Sequence, residues 1–286
     1  MPTFKFAGAA AAVTGAARGI GRALALDLAA RGADVAIADM DEASLFKVKS
    51  EIEAAHGRKV LAKKLDVADS SQVDTFANEV KTAYPNLNLL INNAGIALLG
   101  DFDEITTAQI QRVMDVNFWG VVHGTRAFLP ILEKQPLSQI VNISSVFGII
   151  APPGQSAYCA SKFAVRGFSE SVRHELADKR STVRLSVVHP GGIKTDIAKN
   201  ALHGEHLRTA VSREVVGDDF EAIARTTPAA AAARILKGVL RNEPRILIGS
   251  DAWVIDKAQR LKPKRYWRLL AAMTRGFSSA TRTDKP

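Results

Sequence analysis

The sequence contains only one cysteine, Cys159, and it lacks any long uninterrupted run of apolar residues. A single cysteine excludes an internal disulfide and a cysteine-based zinc set, and it is consistent with a reducing compartment. A membrane-spanning helix needs roughly 18 or more consecutive apolar residues, so none is expected. These absences favour a cytoplasmic protein, and no metal site is predicted.

Residues 1–17 superficially resemble a signal peptide, because a lysine precedes a run of small apolar residues. That run leads directly into a glycine-rich turn and then a helical pattern. A buried first strand is therefore the favoured interpretation, ahead of a targeting peptide.

Most of the chain also lacks net charge, although the whole sequence carries +9. Residues 257–286 hold nine lysines and arginines against one acid, so they contribute +8 and the first 256 residues contribute +1. A nearly neutral body without a recognisable binding module argues against a nucleic-acid-binding protein. The positive charge belongs to a C-terminal extension.

Short apolar runs alternate with longer helical patterns in most of the chain. Strands are predicted at 9–13, 34–38, 59–65, 88–92, 138–144, 183–188 and 245–249. Helices are predicted at 19–31, 42–56, 70–84, 106–133, 158–179 and 228–241. Several runs are continuously apolar, as in strands covered on both faces. The alternation predicts an α/β fold, a Rossmann-type doubly wound parallel sheet of about seven strands.

One predicted connection is unusually long, because about 40 residues of mixed character separate Val188 from Pro228. Connections of this length in compact domains are usually functional lids or disordered segments. We predict one domain over residues 1–256 with a lid at about 190–227, followed by a basic helical extension over 257–286.

A glycine-rich turn, "TGAARGIG" (14–21), follows the first predicted strand. Gly15, Gly19 and Gly21 allow the backbone to approach a pyrophosphate closely, and the new helix offers unpaired N–H groups to it. The spacing is G-x-x-x-G-x-G instead of the commoner G-x-G-x-x-G, so the turn alone is an ambiguous signal.

Polar residues at successive strand ends strengthen that signal. Asp39 ends the second strand, 18 residues after Gly21, where an acid can bind the ribose of an adenine nucleotide. Asp66 ends the third strand and "NNAG" (92–95) ends the fourth. Each feature alone could be turn chemistry. Together they predict a dinucleotide site, because ligands of open parallel sheets bind at the carboxyl ends of the strands.

The choice between NAD and NADP depends on two conflicting residues. Asp39 disfavours a 2′-phosphate by charge repulsion, whereas Arg18 inside the glycine turn favours one. The acid is expected to be aimed at the ribose itself, so NAD is favoured over NADP.

The segment "QSAYCASKFAV" (155–165) places Tyr158 and Lys162 four residues apart, on one face of a predicted helix. A nearby ammonium favours the phenolate form of tyrosine. Lowering a phenol pKa from about 10 to about 7 requires about 4 kcal/mol of differential stabilisation. Taken alone, the pair is also explained by a tyrosine and a lysine on an exposed helix.

Together these segments resemble the short-chain dehydrogenase/reductase family in its classical form, over roughly residues 7–250. The resemblance rests on "TGAARGIG" (14–21), "NNAG" (92–95), Asn117 in "VNFWG", Ser145 in "SS", "YCASK" (158–162) and "PGGIKT" (190–195). Ser145 lies 13 residues before Tyr158, which is the family spacing. The resemblance implies a nicotinamide cofactor and a catalytic set of Ser145, Tyr158, Lys162 and Asn117.

The resemblance also implies a role for each residue. Tyr158 moves the alcohol proton, Ser145 hydrogen-bonds the substrate oxygen, Lys162 reaches the nicotinamide ribose, and Asn117 orders a water next to Lys162. Cofactor contacts are expected from Gly15, Arg18, Gly19, Ile20, Gly21, Asp39, Asp66, Val67, Asn93, Ala94, Gly95, Tyr158, Lys162, Pro190, Gly191, Ile193 and Thr195. Members of the family usually pair through the helices near 106–133 and 158–179, which implies a homodimer or homotetramer.

The segments expected to flank the substrate are apolar. They are "VFGIIAPPG" (146–154), with Phe147, Ile149 and Ile150, and "IALLG" (96–100), with Leu98 and Leu99. No obvious carboxylate-clamping arginine accompanies them, which favours a lipophilic alcohol or ketone, although core packing explains some of these residues equally well. The predicted substrate contacts are Ser145, Phe147, Leu98 and Gly192.

The leading functional prediction is an NAD(P)-dependent alcohol dehydrogenase or carbonyl reductase. Two alternatives stay open: a dinucleotide-sensing binding protein without turnover, and a lyase or epimerase of a related branch. Intact Ser145, Tyr158 and Lys162 argue against the first alternative, and the glycine spacing argues against the second.

Three other features have interpretations of their own. His203 and His206 in "HGEH" have no evident third metal ligand and are interpreted as polar lid residues. His189 is interpreted as a packing residue at a strand end. Cys159 points about 100° away from Tyr158 around the helix, which favours packing over reactivity.

The basic extension joins its cations to Tyr266, Trp267, Leu269, Leu270 and Met273, and Pro263 is expected to begin a helix there. The favoured interpretation is packing near the active-site mouth or against a subunit partner. Peripheral contact with an anionic membrane is the alternative, and nucleic acid is a weaker third.

Overall fold

Strands and helices alternate throughout the residues that the structure, a computed structural model, describes: 4–197, 200–205 and 225–270. The strands are β1 (Ala10–Thr14), β2 (Asp34–Asp39), β3 (Val60–Lys64), β4 (Leu87–Asn92), β5 (Leu98–Leu99), β6 (Ser138–Ile143), β7 (Val183–Pro190), β8 (Leu202–His203) and β9 (Arg245–Ile248). The helices are α1 (Gly19–Ala30), α2 (Glu42–His56), α3 (Ser70–Ala83), α4 (Thr107–Met114), α5 (Gly120–Leu132), α6 (Ser156–Asp178), α7 (Pro228–Leu240) and α8 (Ser250–Leu261).

Seven strands form one parallel sheet in the order β3-β2-β1-β4-β6-β7-β9. The chain first winds outward from β1 to β3 and then returns to add β4 on the other side of β1. This reversal creates a crevice at the carboxyl ends of β1 and β4, where ligands of doubly wound sheets bind. The predicted Rossmann-type fold is confirmed, including all seven predicted strands.

The sheet is covered by helices on both faces. Every residue of β1 is buried, and four of its five side chains are no larger than threonine, so helices approach it closely. On one face Leu24 of α1 and Ile235 of α7 belong to a single apolar cluster with β1 and β2. On the other face Phe76 of α3 packs edge-on against Phe128 of α5, with ring centroids 5.8 Å apart.

The predicted helix at 106–133 is not continuous. A π-helical turn, Asp115–Trp119, separates α4 from α5, and it contains Asn117. Such π turns inside α-helices occur frequently at functional sites. The apolar pattern of the segment does not show this turn, because a single added residue changes the periodicity only slightly.

A second, small sheet was not predicted from the sequence. It pairs β5 with β8, so the predicted lid is tied at Leu202–His203 to the segment that follows β4. Strands of two residues are too short to show a period in sequence. The remaining lid positions, 198–199 and 206–224 with His206, lie outside the described residues.

The chain after β9 also differs from the prediction. Helix α8 begins at Ser250, with Asp251 in its first turn, where an acid is favourable for the helix dipole. Pro263 does not begin a helix; it follows α8 in a turn, and residues 266–270 are helical again. The boundary predicted at residue 256 falls inside α8. Among the described helices, none is long and apolar enough to cross a membrane.

Candidate active site

The glycine turn after β1 has the geometry of a backbone cradle. Gly15 and Gly19 have φ values of +66° and +55°, which side chains rarely adopt. A Cβ on Gly15 would lie 2.7 Å from the Cα of Ala94, and one on Gly21 would lie 2.0 Å from the carbonyl oxygen of Gly15. Gly15 and Gly21 therefore cannot carry a side chain unless the surrounding backbone moves.

The end of β4 is fastened to the same turn. The hydroxyl of Thr14 accepts hydrogen bonds from the backbone N–H groups of Asn93 (3.1 Å) and Ala94 (3.2 Å). The side-chain amide of Asn93 donates to the carbonyls of Thr14 and Gly15, each at 3.0 Å. Thr14 was missing from the predicted site residues, although it begins the quoted motif.

Asp39 turns its carboxylate back toward the glycine turn. Its Oδ2 accepts from the backbone N–H of Ala17 at 2.9 Å, and its Oδ1 accepts from the N–H of Asp41 at 3.0 Å. Arg18 forms an ion pair with Asp41, a residue that the sequence analysis did not single out. Hydrogen bonds from Ser44, opposed by slight desolvation, and the charge of Arg18 hold the pKa of Asp41 below its usual value.

Asp66 and Val67 follow β3 at the same edge of the sheet. The Asp66 carboxylate accepts from the N–H of Ala68 at 3.0 Å and pairs with Arg112 of α4 at 3.1 Å. Val67 packs so tightly on α5 that a Cβ on Gly120 would meet its Cγ2 at 2.7 Å. Both residues are thus held in fixed positions beside the crevice.

The turn after β7 meets the glycine turn from the other side. The Cγ2 of Thr195 lies 3.3 Å from the place of a Cβ on Gly19. Asp251 of α8 accepts from the N–H of Gly192 at 2.6 Å, and its carboxylate occupies the space that a Cβ on Gly191 would need. Asp251 was not predicted to have this role, because nothing in the sequence pairs it with the "PGG" turn.

Tyr158, Lys162 and Ser145 come together behind this crevice. Tyr158 and Lys162 are buried on one side of α6, with the Lys162 Nζ 5.6 Å from the centre of the Tyr158 ring. The Lys162 Nζ donates to the carbonyl of Ile143 at 3.1 Å, which ties the lysine to the end of β6. It also lies 3.3 Å from the place of a Cβ on Gly95, so it faces the "NNAG" segment.

The protonation state of this pair differs from the expectation. Burial raises the pKa of Tyr158 to about 12, opposed by a hydrogen bond with the Ser145 side chain. Burial lowers the pKa of Lys162 to about 8. The lysine was expected to lower the pKa of the tyrosine, but removal of the phenol from water raises that pKa instead. At neutral pH the phenol is protonated and the lysine is mostly charged.

Asn117 lies at the centre of the π turn and is completely buried. Its Oδ1 accepts from the N–H of Ile96 at 2.8 Å, and its Nδ2 donates to the carbonyl of Ile96 at 2.9 Å and to Ser161 Oγ at 3.0 Å. The residue thus fixes the segment after β4 against the helix that carries Tyr158. Its predicted role in ordering a water stays a prediction.

His189, at the end of β7, supports Ser145 from behind. Its Nδ1 lies 2.9 Å from the carbonyl oxygen of Ser145, so Nδ1 carries the proton and donates. Burial, with the nearby charge of Arg245, lowers the pKa of His189 to about 4. The imidazole is therefore neutral at physiological pH. Cys159 is buried as expected, and burial raises the pKa of its thiol to about 11.

Tyr158 also has apolar neighbours. Tyr158 clusters with Ala97 and Ala201, and Leu99, Phe147 and Ile197 pack against them. The Phe147 and Tyr158 rings meet edge-on with centroids 6.1 Å apart. Leu98, by contrast, is 1% exposed and packs with Ile105 and Val113, so the structure does not bring it to Tyr158.

The C-terminal segment reaches the loop that follows Ser145. The Tyr266 hydroxyl accepts a hydrogen bond from the N–H of Ala151 at 3.2 Å. Ala151 lies in the apolar segment 146–154 predicted to contact the substrate. Tyr266 thus contacts this segment, whereas packing of the whole extension at the active-site mouth stays a prediction; Met273 lies outside the described residues.

Comparison with known proteins assigns this arrangement to a family. The profile of the short-chain dehydrogenases matches residues 9–206. The chain belongs to the short-chain dehydrogenase/reductase family. It is 42% identical over 268 residues to SadH of Mycobacterium tuberculosis, named as an oxidoreductase, and the match covers 93% of this chain and 95% of SadH.

Two further relatives extend this result. A dehydrogenase/reductase "SDR family protein 7-like" from Drosophila melanogaster is 33% identical over 270 residues, which are 91% of this chain and 78% of the relative. A short-chain dehydrogenase/reductase from Burkholderia phymatum, solved in complex with NAD, is 29% identical with a TM-score of 0.81, covering 91% of this chain and 96% of that one. Family membership supports an oxidoreductase.

Proposed function

We propose that this protein is a nicotinamide-dependent alcohol dehydrogenase or carbonyl reductase for lipophilic substrates, with Tyr158 as general acid and base. The observation that carries the proposal is the buried cluster of Tyr158, Ser145 and Lys162 at the carboxyl edge of the sheet, beside a glycine cradle. The same constellation is difficult to explain as packing, because burying a lysine without a carboxylate partner is unfavourable.

The residues present fit a dinucleotide. A Cβ at Gly15 or Gly21 would collide with neighbouring backbone, and one at Gly19 would crowd Thr195, so the turn presents bare backbone to an approaching phosphate. Asp39 would hold the adenosine ribose, and Lys162 would hold the nicotinamide ribose. The related protein from Burkholderia phymatum binds NAD, and a short-chain dehydrogenase from Burkholderia cenocepacia with 26% identity and a TM-score of 0.73 binds NADP. When bound, the nicotinamide supplies or accepts the hydride.

The side chains of this protein transfer the proton that accompanies the hydride. In the reducing direction the protonated Tyr158 hydroxyl donates to the carbonyl oxygen of the substrate while Ser145 hydrogen-bonds the same oxygen. The charged Lys162 stabilises the phenolate that this donation leaves behind. In the oxidising direction the phenolate removes the proton from the alcohol. Lys162 thus acts when the tyrosine is ionised, even though burial keeps the phenol neutral beforehand.

We further propose NAD as the preferred cofactor. Two backbone N–H groups aim the Asp39 carboxylate at the glycine turn, where a 2′-phosphate would meet its charge. Arg18, which could attract that phosphate, is paired with Asp41. Arg18 is therefore less available to bind a 2′-phosphate, and the charge of Asp39 favours NAD over NADP.

Replacing Asp39 with serine is expected to narrow or reverse the preference for NAD. Two like charges about 4 Å apart near a protein surface repel by roughly 1–4 kcal/mol, so the ratio of the two dissociation constants is expected to change at least about fivefold. Titration of the wild type and Asp39→Ser with both cofactors measures it. Asp27→Ser is the matched control, because it removes an equal charge from the exposed Asp27–Arg31 pair. A wild type that already prefers NADP would show that Arg18 dominates.

Lipophilic alcohols are expected to be the best substrates, because Leu99, Phe147 and Ile197 pack around Tyr158. Specificity constants for medium-chain, terpenoid and steroid-like alcohols should exceed those for short polar alcohols and hydroxy acids, measured by absorbance of the reduced cofactor. One more methylene in an apolar pocket is typically worth about 10–200-fold in discrimination. A clear preference for a hydroxy acid or a sugar would overturn the lipophilic assignment. If the protein turned over no alcohol and no carbonyl compound, its assignment as an enzyme would be overturned.

A homodimer or homotetramer formed through α4, α5 and α6 stays a prediction. The division into a domain over 1–256 and an extension over 257–286 is also retained only as a proposal, since α8 crosses that boundary. Both can be tested by sedimentation and by limited proteolysis of the full chain.

A further inference from the structure

Helix α8 packs on the body through only one side. Ala252 is completely buried, whereas Trp253 is 58% exposed and Leu261 is 74% exposed. At 100° per residue, Trp253, Val254, Lys257 and Leu261 lie together on the side of the helix away from Ala252. Large apolar side chains are thus concentrated on an outer face that the described part of the chain leaves uncovered.

The exposed apolar character continues beyond the helix. Trp267 is 38% exposed and Leu269 is 48% exposed, although Tyr266 between α8 and these residues is anchored to Ala151. We use the term C-terminal surface for the exposed apolar and basic residues between positions 253 and 269. Exposed apolar residues that are close together indicate an interaction site more often than isolated ones do.

Cations alternate with these apolar residues. Six are exposed: Arg260 pairs with Asp256 at 3.0 Å, and the other five are Lys257, Lys262, Lys264, Arg265 and Arg268. Within the described residues none of these five forms an ion pair with a carboxylate, and the Lys257 Nζ lies 5.6 Å from the centre of the Trp253 ring. The two acids of α8 do not compensate for these five, because Asp251 bonds to Gly192 and the buried Asp256 pairs with Arg245 and Arg260.

We infer that the C-terminal surface docks onto an anionic lipid bilayer. Tryptophan is favoured at the level of the lipid headgroups, and exposed leucine gains by entering the acyl boundary. Lysine and arginine on flexible stems reach the phosphates from the same depth. Each cation near a negatively charged leaflet adds attraction, so the five together favour anionic over zwitterionic lipid.

Charge argues against the other occupants. A second copy of the chain would bring the same unpaired cations face to face, which is unfavourable without intervening acids. Nucleic acid would satisfy the cations, but the aliphatic Leu261, Leu269 and Val254 would have no function on a phosphate backbone. A bilayer is the partner that uses both classes of side chain.

The location of the surface is consistent with this partner. Through Tyr266 the C-terminal surface adjoins Ala151, in the apolar segment that follows Ser145. Bilayer docking would therefore place that segment near the lipid. The inference itself does not rest on the proposed activity, since lipid binding can be measured without substrate or cofactor.

The experiment compares cosedimentation of the full chain with vesicles of phosphatidylcholine alone and of phosphatidylcholine with phosphatidylglycerol, at about 0.1 M salt. Binding is expected only to the anionic vesicles. The double variant Lys262→Glu/Lys264→Glu is expected to bind anionic vesicles at least tenfold more weakly, because each cation near the membrane raises the binding constant roughly fivefold. Lys47→Glu/Lys179→Glu is the control with the same change of net charge on exposed positions elsewhere.

A second pair of variants separates insertion from simple charge attraction. Trp253→Ser/Leu261→Ser keeps the net charge and is expected to lower binding at least tenfold, whereas Phe46→Ser, which removes an exposed aromatic from α2, is expected to bind like the wild type. If the double variant fails to fold, quenching of tryptophan fluorescence by brominated lipid in the wild type provides the readout. The inference would be overturned if the protein did not bind anionic vesicles, or if it bound duplex DNA in their place. It would also be overturned if the tail variants bound as well as their controls, or if brominated lipid caused no quenching.

Discussion

Replacing Tyr158 with phenylalanine is expected to lower kcat by roughly 10²–10⁴-fold, as for the loss of a general acid and base. The phenylalanine ring retains the edge-on contact with Phe147, so the apolar cluster should stay intact. Only the hydroxyl beside Ser145 is lost, and with it the proton donor for the substrate oxygen. Steady-state rates measured with a saturating lipophilic alcohol test this expectation, and a cofactor titration should give an almost unchanged Kd.

Tyr84→Phe is the matched control. Tyr84 is also buried, and its hydroxyl donates to the carbonyl of Lys59 at 3.1 Å, far along the chain from Ser145. Loss of that bond is expected to cost about 1 kcal/mol of unfolding free energy, with no comparable fall in kcat. Near-normal turnover in Tyr158→Phe would end the assignment of Tyr158, and an equal loss in both variants would mean that the effect is structural.

Replacing Gly21 with alanine is expected to weaken dinucleotide binding at least tenfold and to lower the unfolding free energy by roughly 1–3 kcal/mol, as for an overpacked site. The new Cβ would lie 2.0 Å from the carbonyl oxygen of Gly15 and 2.5 Å from the side-chain nitrogen of Asn93. Backbone must move to relieve the first of these contacts, and the moving segment is the cradle itself. Fluorescence titration with NAD and thermal melting measure the two effects.

Gly167→Ala provides the corresponding control. Gly167 lies in α6, the helix that carries Tyr158, and a Cβ there would have nothing within 4 Å. Alanine is favoured over glycine inside a helix by about 1 kcal/mol, so this variant should be slightly more stable than the wild type, with an unchanged Kd. Unaltered cofactor binding in Gly21→Ala would show that close backbone approach at the turn is not what holds the dinucleotide.

The two predictions concern opposite halves of one site. The glycine turn lies between β1 and α1, whereas Tyr158 is carried by α6 after β6. The parallel order of β1, β4 and β6 in the sheet brings their carboxyl ends to one edge. The network through Thr14, Asn93, Asn117 and Ser161 then joins the glycine turn to α6. Positions more than 100 residues apart in sequence thereby share a crevice.

The sequence by itself determined the order of the elements and the candidates for the reacting side chains. Local apolar runs and helical spacing indicated all seven main strands, because each is short and bounded by turn residues, and the central strands β1, β4 and β6 are buried almost throughout. The spacing of Tyr158 and Lys162 placed them on one helix face without knowledge of the fold, since helical neighbours are set by local geometry. The glycine turn was also recognisable from sequence, because Gly15 and Gly19 adopt positive φ values that other residues rarely adopt, and Gly21 leaves no room for a side chain.

Only the tertiary structure decided what surrounds these side chains and how deeply each is buried. The pKa values of Tyr158 and Lys162 are set by burial, which results from packing between elements distant in sequence. Three other contacts likewise depend on how strands and helices meet. Arg18 pairs with Asp41, and Asp251 bonds to the "PGG" turn. Leu99 packs near Tyr158, whereas its neighbour Leu98 packs in a different apolar cluster. Such contacts have no local pattern, because each partner satisfies only the rules of its own element until the fold brings the two together.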